Sequence, residues 1–541
     1  MSRTATTCSS ASPSDPGKGS GTFLTSARNL SISVFGSRIL GFLRDIFLSA
    51  FLGGGALMSA WVQASGWANM FRQILGEGAL GQALVPILSQ TLKQEGGERT
   101  RQKFSTLFIY LTLLLAVLTI LISLPLFLLA DHFTNPIWRI AALLTPILMP
   151  YSIFICSVGV MTSCLNMKRV YFLPSLTAIL QNLIIIGTLF FLCPLFDTGW
   201  GKVKILSFSV LVAGVIEFLF MLWLLKRENL MLTFSGKVWK DLTTLKEIFT
   251  VALPGIVAAG VHVISAQTDR LISGNIPHFA GEIGEYATSA LYYSDRLVLL
   301  PVGVFAFSYG TVALTEMSHA HAENDLTKFR DTLGISMRNL MFISIPITVF
   351  FFAFGREILQ VLFMRGKFDA TALEQTLFAL QFYVFGIPAF AALKLMTAAF
   401  TSRKDMKTPF YTGLIAIAVN LVLNLALMIP MRQGGIALAT VISVFLNNTL
   451  LLVLLEKRTK IGIPIRSGAI FLLKMAAVSV LPLTVSLPVC RYLQSVIAHP
   501  FAGPLAGLAA GGILYGIFLL LLAKVLKLSE AQAVLKRLLK R

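Results

Sequence analysis

FSTLFIYLTLLLAVLTILISLPLFLLA, residues 104–130, contains no charged side chain. As a helix rising about 1.5 Å per residue it is long enough to cross the ~30 Å hydrocarbon core of a bilayer. Similar runs surround it, at 27–52, 57–92, 137–165, 172–195 and 205–225. More follow at 246–275, 287–318, 333–354, 370–401, 408–430, 434–455, 467–490 and 502–526. Barrel strands are shorter and alternate apolar with polar residues, so helices are the spanning element. The pattern predicts an all-α polytopic membrane protein of about fourteen transmembrane helices.

Composition agrees. Of 541 residues, 56% are apolar and only 13% charged, about half the charge content of an ordinary soluble domain. Mean hydropathy is +0.78. The formal charge of +20 would suggest a nucleic-acid partner, but the basic residues sit mostly in short gaps between apolar runs, so nucleic acid is not expected. None of the five cysteines forms a CxxC pair or a metal-ligand spacing. Residues 1–26 are rich in Ser, Thr, Gly and Pro and lack the apolar core of a signal peptide; they read as a disordered tail.

Lys and Arg alternate between the two sets of loops. One set holds twenty of them, among them Lys93, Arg99, Lys168, Lys226, Arg403 and Lys457, against eight on the other. The richer side is cytoplasmic by the positive-inside rule, which with an even helix count places both termini in the cytoplasm. A weak internal repeat is also legible. Arg38 in span 1 and Arg270 in span 7, like Arg72 in span 2 and Arg296 in span 8, stand at similar offsets, as two six-helix halves would place them.

The informative residues are charges within spans, because an ionised group at mid-bilayer costs roughly 2.5–3.5 kcal/mol and normally faces protein or water. In SRILGFLRD (37–45), Ser37, Arg38, Arg44 and Asp45 share one helical face, with Gly41 inside the arc. In span 2, Asn69, Arg72, Gln73, Gly76 and Glu77 share another, and Gly76, Gly78 and Gly81 weaken the helix there. Arg44–Asp45 and Arg72–Glu77 can be structural pairs. Yet with Arg270 and Arg296 the arginines outnumber their acids, which points to an anionic ligand, and the planar guanidinium suits phosphate. A second group combines His262, Ser265 and Asp269 on span 7 with Asn420 and Asn424 on span 11 and Thr440 on span 12. These oxygens suit a small hard cation such as sodium, and equally suit ordinary interhelical hydrogen bonding. No nucleotide-binding loop, metalloprotease helix or nucleophile elbow occurs, so no enzyme is expected.

Four stretches, SRILGFLRD (37–45), NMFRQILGEGALGQALVPILS (69–89), YYSDRLVLLPVGVFAFSYGTVALTEMS (292–318) and TSRKDMKTP (401–409), resemble the MurJ/MviN family of lipid II flippases over about residues 30–460. The resemblance implies a cytoplasmic tail at 1–26, an N-lobe of helices 1–6 at 27–225, and a cytoplasmic linker at 226–245. It further implies a C-lobe of helices 7–12 at 246–455 around a shared central cavity, helices 13 and 14 at 467–526 as a lipid-tail groove, and a basic cytoplasmic tail at 527–541. The implied substrate is lipid II, moved by alternating access from the cytoplasmic to the periplasmic leaflet of the bacterial inner membrane, with membrane lipids and other peptidoglycan synthesis proteins as further partners. Ser37, Arg38, Arg44, Asp45, Asn69, Arg72, Glu77 and Arg296 match the family's cavity positions, and Arg270 joins them on the arginine-excess argument. Asp269, Asn420, Asn424 and Thr440 match a sodium site found in some members.

Two departures stand out. Ser59-Ala60 replaces an Asp-Ala pair, and Asn424 stands where an acid can occur, which weakens a cation site. Past about residue 467 no family motif is recognisable. The rival readings are an exporter of drugs or of another lipid-linked oligosaccharide in the same multidrug/oligosaccharide/polysaccharide exporter superfamily, and a non-transporting scaffold for envelope synthesis. A drug exporter for organic cations should carry inward acids and aromatics rather than surplus Arg, and a scaffold has no need of arginines inside its spans.

The loop asymmetry is open to a direct check. A cysteine placed in the C-terminal tail is expected to react with a membrane-impermeant maleimide only after permeabilisation; labelling of intact cells would invert the topology.

Overall fold

The computed structural model describes residues 16–76, 79–233, 241–462, 465–528 and 530–532. Every regular element among them is a helix. The first half comprises α1 (Pro16–Leu52), α2 (Ala56–Phe71), α3 (Ala79–Gln94), α4 (Gly96–Leu128), α5 (Pro136–Leu148), α6 (Tyr151–Met167), α7 (Thr177–Gly187) and α8 (Gly199–Arg227). The second comprises α9 (Leu242–Ser273), α10 (Ala287–Ala322), α11 (Leu326–Ala353), α12 (Gly355–Phe363), α13 (Ala370–Tyr383), α14 (Gly386–Ser402) and α15 (Lys407–Thr459). Then come α16 (Ile465–Val480), α17 (Leu483–Val496) and α18 (Ala502–Val525).

Among the described residues eight segments are long and apolar enough to cross a membrane, ten when each of two bent helix pairs counts as one span. The chain is therefore a multi-pass membrane protein. Two of these segments, Val263–Ala322 and Lys407–Thr459, each run over two of the expected spans. Spans expected at 408–430 and 434–455 lie in one run, α15, which turns back on a single residue, Arg432, at φ 47° just after Pro430. Helix α1 carries Arg38, Arg44 and Asp45 within its apolar run, and α2 and α3 are only 16 residues long each.

Breaks within spans follow proline and a π turn. The α5–α6 and α13–α14 pairs each bend by 47°, beside Pro146 and Pro150 in the first and Pro388 in the second, where a missing N–H interrupts the ladder. Pro482 likewise divides the expected span 467–490 into α16 and α17. In span 2 the break is a π turn, Arg72–Gly76, just ahead of Gly78, which with Glu77 lies outside the described residues. Two expected boundaries also shift. Helix α1 starts at Pro16, so the tail expected over 1–26 is helical from there on; extending an established helix is far easier than nucleating one, and Pro suits its first turn. Residues 1–15, like 533–541 of the basic tail, lie outside the description.

Within the first half α2 packs on α5, α3 and α8 on α6, and α1 on α7; within the second, α10 packs on α11, α13 and α14, and α9 on α15. Helix α16 leans on α11, while α17 and α18 pair closely and α18 rests on α12. The halves meet at both ends. On the side of the basic loops the contact is ionic: Arg99 lies 2.9 Å from Asp241 and Lys103 3.3 Å from Glu247. On the opposite side it is neutral. The Ser59 hydroxyl donates to the Glu285 carbonyl at 2.6 Å and accepts from the Ser289 amide at 3.2 Å. The Tyr293 hydroxyl donates to the Gly53 carbonyl at 2.9 Å, and the Asn135 amide to the Gly274 carbonyl at 2.8 Å. Ser59 is thus buried in this seam, where one hydroxyl both donates and accepts. Gly53 (φ 78°) and Gly366 (φ 61°) let the 364–369 turn approach α1, and the Lys367 amide donates to the Ala50 carbonyl at 2.8 Å.

The tightest crossing in the first half sets α6 against the π turn. A Cβ on Gly159 would lie 2.1 Å from the Gly76 carbonyl oxygen, a backbone atom unable to give way. Gly159→Ala is therefore expected to cost about 1–3 kcal/mol through overpacking, read as a lower unfolding temperature of the purified protein and reduced membrane abundance. Unchanged stability would mean that the crossing is looser than described.

Candidate substrate and cation sites

One carboxylate organises the first site. Asp45, on α1, is buried, with 3% of its side chain exposed. Its Oδ1 accepts from Arg44 Nε at 3.0 Å and Nη2 at 2.8 Å, and from the Tyr292 hydroxyl of α10 at 3.0 Å. Its Oδ2 faces Arg296 Nε at 3.5 Å, an ionic contact too long for a proper hydrogen bond. Arg44 and Asp45 are neighbours in sequence, but the long guanidinium arm folds back, and Nη1 reaches Asn182 Oδ1 on α7 at 3.1 Å. Asn182 is held in turn by the Ala178 carbonyl at 2.8 Å and the Ser37 carbonyl at 3.4 Å. Arg296 keeps 40% of its side chain exposed and lies over the Tyr292 ring, 4.9 Å from its centroid. One carboxylate therefore touches two guanidiniums, one locked and one partly exposed.

The other expected residues are arranged around this centre rather than in it. Arg38 donates to the Gly303 carbonyl, two helical turns along α10 from Arg296. Ser37 takes part through its backbone. Arg72 Nε donates to Asn69 Oδ1 at 3.3 Å within span 2, and Asp45 contacts neither of them among the described residues. Arg270 Nη1 donates to Gln267 Oε1 at 3.1 Å and lies against Gly66 of α2, where a Cβ would come within 2.8 Å of Gln267 Oε1 and 3.3 Å of Arg270 Nη1. Asp295 is within electrostatic reach of both Arg270 and Arg296. Glu77 lies outside the described residues. Sequence reasoning missed Tyr292 and Asn182. The available signals were the i, i+4 spacing of Tyr292 to Arg296 and the Gln181-Asn182 pair near the middle of span 5.

The second constellation meets in space. Asp269 of α9 accepts from Asn424 Nδ2 at 2.6 Å and from the Thr440 hydroxyl at 2.9 Å. Asn424 also donates to Asn420 Oδ1 at 3.1 Å, and the Ser265 hydroxyl reaches the same oxygen at 3.3 Å. Asn420 Nδ2 lies 3.3 Å from Thr440. The cluster joins α9 to both limbs of α15. The side chain of His262 lies outside the described residues. Asn424 Oδ1 is buried without a partner among the described residues, and turning that amide over would present its oxygen to an ion instead of its N–H groups. One carboxylate with neutral amide and hydroxyl oxygens is a donor set that fits a monovalent hard cation.

A sequence model of the family described as lipid II flippase MurJ matches residues 48–531. The match starts just after the Ser37–Asp45 stretch and runs through α16–α18, past residue 467, where no motif is legible. A probable lipid II flippase MurJ of Vibrio cholerae is 31% identical over 429 residues, covering 77% of this chain and 79% of its own length. The lipid II flippase MurJ of Burkholderia cenocepacia is 27% identical over 430 residues, covering 78% and 81%. Among solved structures, lipid II flippase MurJ in an inward closed conformation superposes with a TM-score of 0.74 at 23% identity, over 92% of this chain and 99% of that one. An inward-facing multidrug resistance MATE family transporter of the MOP superfamily gives 0.62 at 14% identity, over 78% and 94%. These likenesses share the all-α fold of a transporter, and the sequence match is more selective: the chain belongs to the MurJ family of lipid II flippases.

Proposed function

We propose that this chain moves lipid II across the inner membrane, from the cytoplasmic to the periplasmic leaflet, with both termini in the cytoplasm. The observation that carries this reading is the carboxylate shared by Arg44 and Arg296 within the spans, which leaves one guanidinium half open. Arg38, Arg44, Arg72, Arg270 and Arg296 stand against Asp45, Asp269 and Asp295, and counting Glu77 as well still leaves an excess of positive charge. A diphosphate supplies the missing negative charge and the paired oxygens that a guanidinium fork grips.

The chemistry involves no bond change, only separation of environments. The charged head group crosses on the arginine faces while the isoprenoid tail stays in hydrocarbon, along the surface of α16–α18. Residues 27–225 and 246–455 act as the rocking lobes, and alternation consists of exchanging the ionic seam on one side for the neutral seam on the other. Asp269, Asn420, Asn424 and Thr440 would hold a sodium ion between α9 and α15. The transporter fold is also shared with multidrug exporters, but an arginine-rich centre repels organic cations, so an anionic lipid-linked substrate fits better.

Two measurements test these assignments. Arg296→Ala is expected to weaken lipid II binding about ten- to a hundredfold, the loss of one charge-assisted contact of roughly 1.5–3 kcal/mol, and to stop flipping in proteoliposomes at unchanged membrane abundance. Arg296→Lys should recover only part of the activity because the fork is lost. Normal binding by the alanine variant, or its disappearance from the membrane, would make Arg296 a structural residue. For the cation, sodium but not potassium is expected to raise the unfolding temperature of the purified protein, and Asp269→Ala to abolish the difference. Equal response to both ions would leave the cluster as interhelical hydrogen bonding.

A further inference from the structure

We propose that Tyr292 is a positioning residue that keeps Arg296 available to the phosphate oxygens. This rests on the reading of Arg296 as an anion ligand given above. Asp45 has two carboxylate oxygens and two arginine neighbours, and the simplest arrangement would be a forked pair with each. The structure is lopsided instead. Three donors crowd onto Oδ1: Nε and Nη2 of Arg44 and the Tyr292 hydroxyl, at 3.0, 2.8 and 3.0 Å. That fixes the carboxylate plane and turns Oδ2 toward Arg296 Nε at 3.5 Å, where the attraction is ionic but no hydrogen bond forms. Arg296 Nε is itself buried and has no hydrogen-bond partner among the described residues, so the exposed part of this side chain lies beyond it.

The same tyrosine holds Arg296 from below. One helical turn earlier on α10, its ring presents a face to the guanidinium at 4.9 Å. Cation–π contact orients the guanidinium plane, and the Tyr292 hydroxyl also lies close enough to Arg296 to interact with it. Tyr292 thus does two things at once. Its hydroxyl occupies the carboxylate that would otherwise close on Arg296, and its ring steadies the guanidinium while 40% of the arginine side chain stays exposed. A leucine here would do neither; a phenylalanine would do only the second.

The consequence is selectivity for diphosphate over monophosphate, because a partly exposed fork beside a locked Arg44 can grip two linked phosphates, whereas a fork closed on Asp45 cannot. The test measures binding of undecaprenyl diphosphate and undecaprenyl phosphate to the purified full-length protein, with unfolding temperature as the folding control. Tyr292→Phe is expected to weaken diphosphate binding about three- to tenfold, the size of one hydrogen bond, and to lower the diphosphate-to-monophosphate affinity ratio at unchanged unfolding temperature. Tyr292→Leu should lower the ratio further, and Tyr292→Trp, which keeps a ring face, should resemble Phe. If Phe and Leu keep the parent ratio while Arg296→Ala collapses it, the role assigned to Tyr292 is wrong and the anion site stands. If Arg296→Ala also keeps the ratio, the anion site itself fails. Should the leucine variant not fold, the phenylalanine variant decides alone.

Discussion

Asp45 carries two guanidiniums on one buried carboxylate, and much of the surrounding architecture makes that tolerable inside a bilayer. Arg44 and Asp45 neutralise each other at 2.8 Å with little exposure, so together they can sit in a weakly polar interior where either alone would be strongly destabilising. Arg296 is the surplus. It is tolerated because it stays partly open, and because Asp45 and the Tyr292 ring still attract it. Three helices have to converge for this: α1 brings the pair, α10 brings Tyr292 and Arg296, and α7 brings Asn182 to occupy the last arm of Arg44. Because α1 and α7 belong to the first half and α10 to the second, the central charge cluster also holds the two halves in register.

The seams at the two ends differ in kind, one ionic and one neutral. Neutral hydrogen bonds to backbone carbonyls, such as Ser59 to Glu285 and Tyr293 to Gly53, are each worth about a kilocalorie net, because water replaces them readily. The ion pairs of Arg99 and Lys103 are partly exposed and weakened by salt. Neither set amounts to a large stabilisation beside the apolar packing inside each half.

Much of this was legible in the sequence, for identifiable reasons. Apolar runs reveal spans because lipid leaves helices no alternative, and charge within a run stands out against so uniform a background. The cluster of Asp269, Asn420, Asn424 and Thr440 also converges in space, since a polar residue in lipid needs a polar partner. What stayed hidden depends on approach between distant helices. Helical spacing places Arg44 and Asp45 on neighbouring directions, but not the folding back of a long guanidinium onto the next residue. Tyr292 reads as one more aromatic in an apolar run, because its role exists only once α1 lies beside it. The reversal falls in the short gap expected between 408–430 and 434–455, and a single residue at positive φ, Arg432, makes the turn. The break in span 2 was attributed to glycines that lower helix stability; the structure shows a π turn starting at Arg72 itself, packed against Gly159.

The placement of Asp269 and Arg270 bears on how ion and substrate would be linked. They are consecutive on α9, so their side chains leave the helix about 100° apart. Asp269 turns to α15 and its amide and hydroxyl donors; Arg270 turns to Gly66 of α2 and the charged centre. One helix thus carries a candidate cation ligand on one face and a candidate anion ligand on the adjacent one, and α9 also packs on α3 of the first half. A cation that drew Asn420, Asn424 and Thr440 around Asp269 would fix the rotation of α9, and with it the reach of Arg270. Any such rotation is felt by both sites, so coupling of the usual size, about 1–3 kcal/mol, needs no further relay. With only one acid in the cluster, the charge of a bound monovalent ion would be balanced and no more.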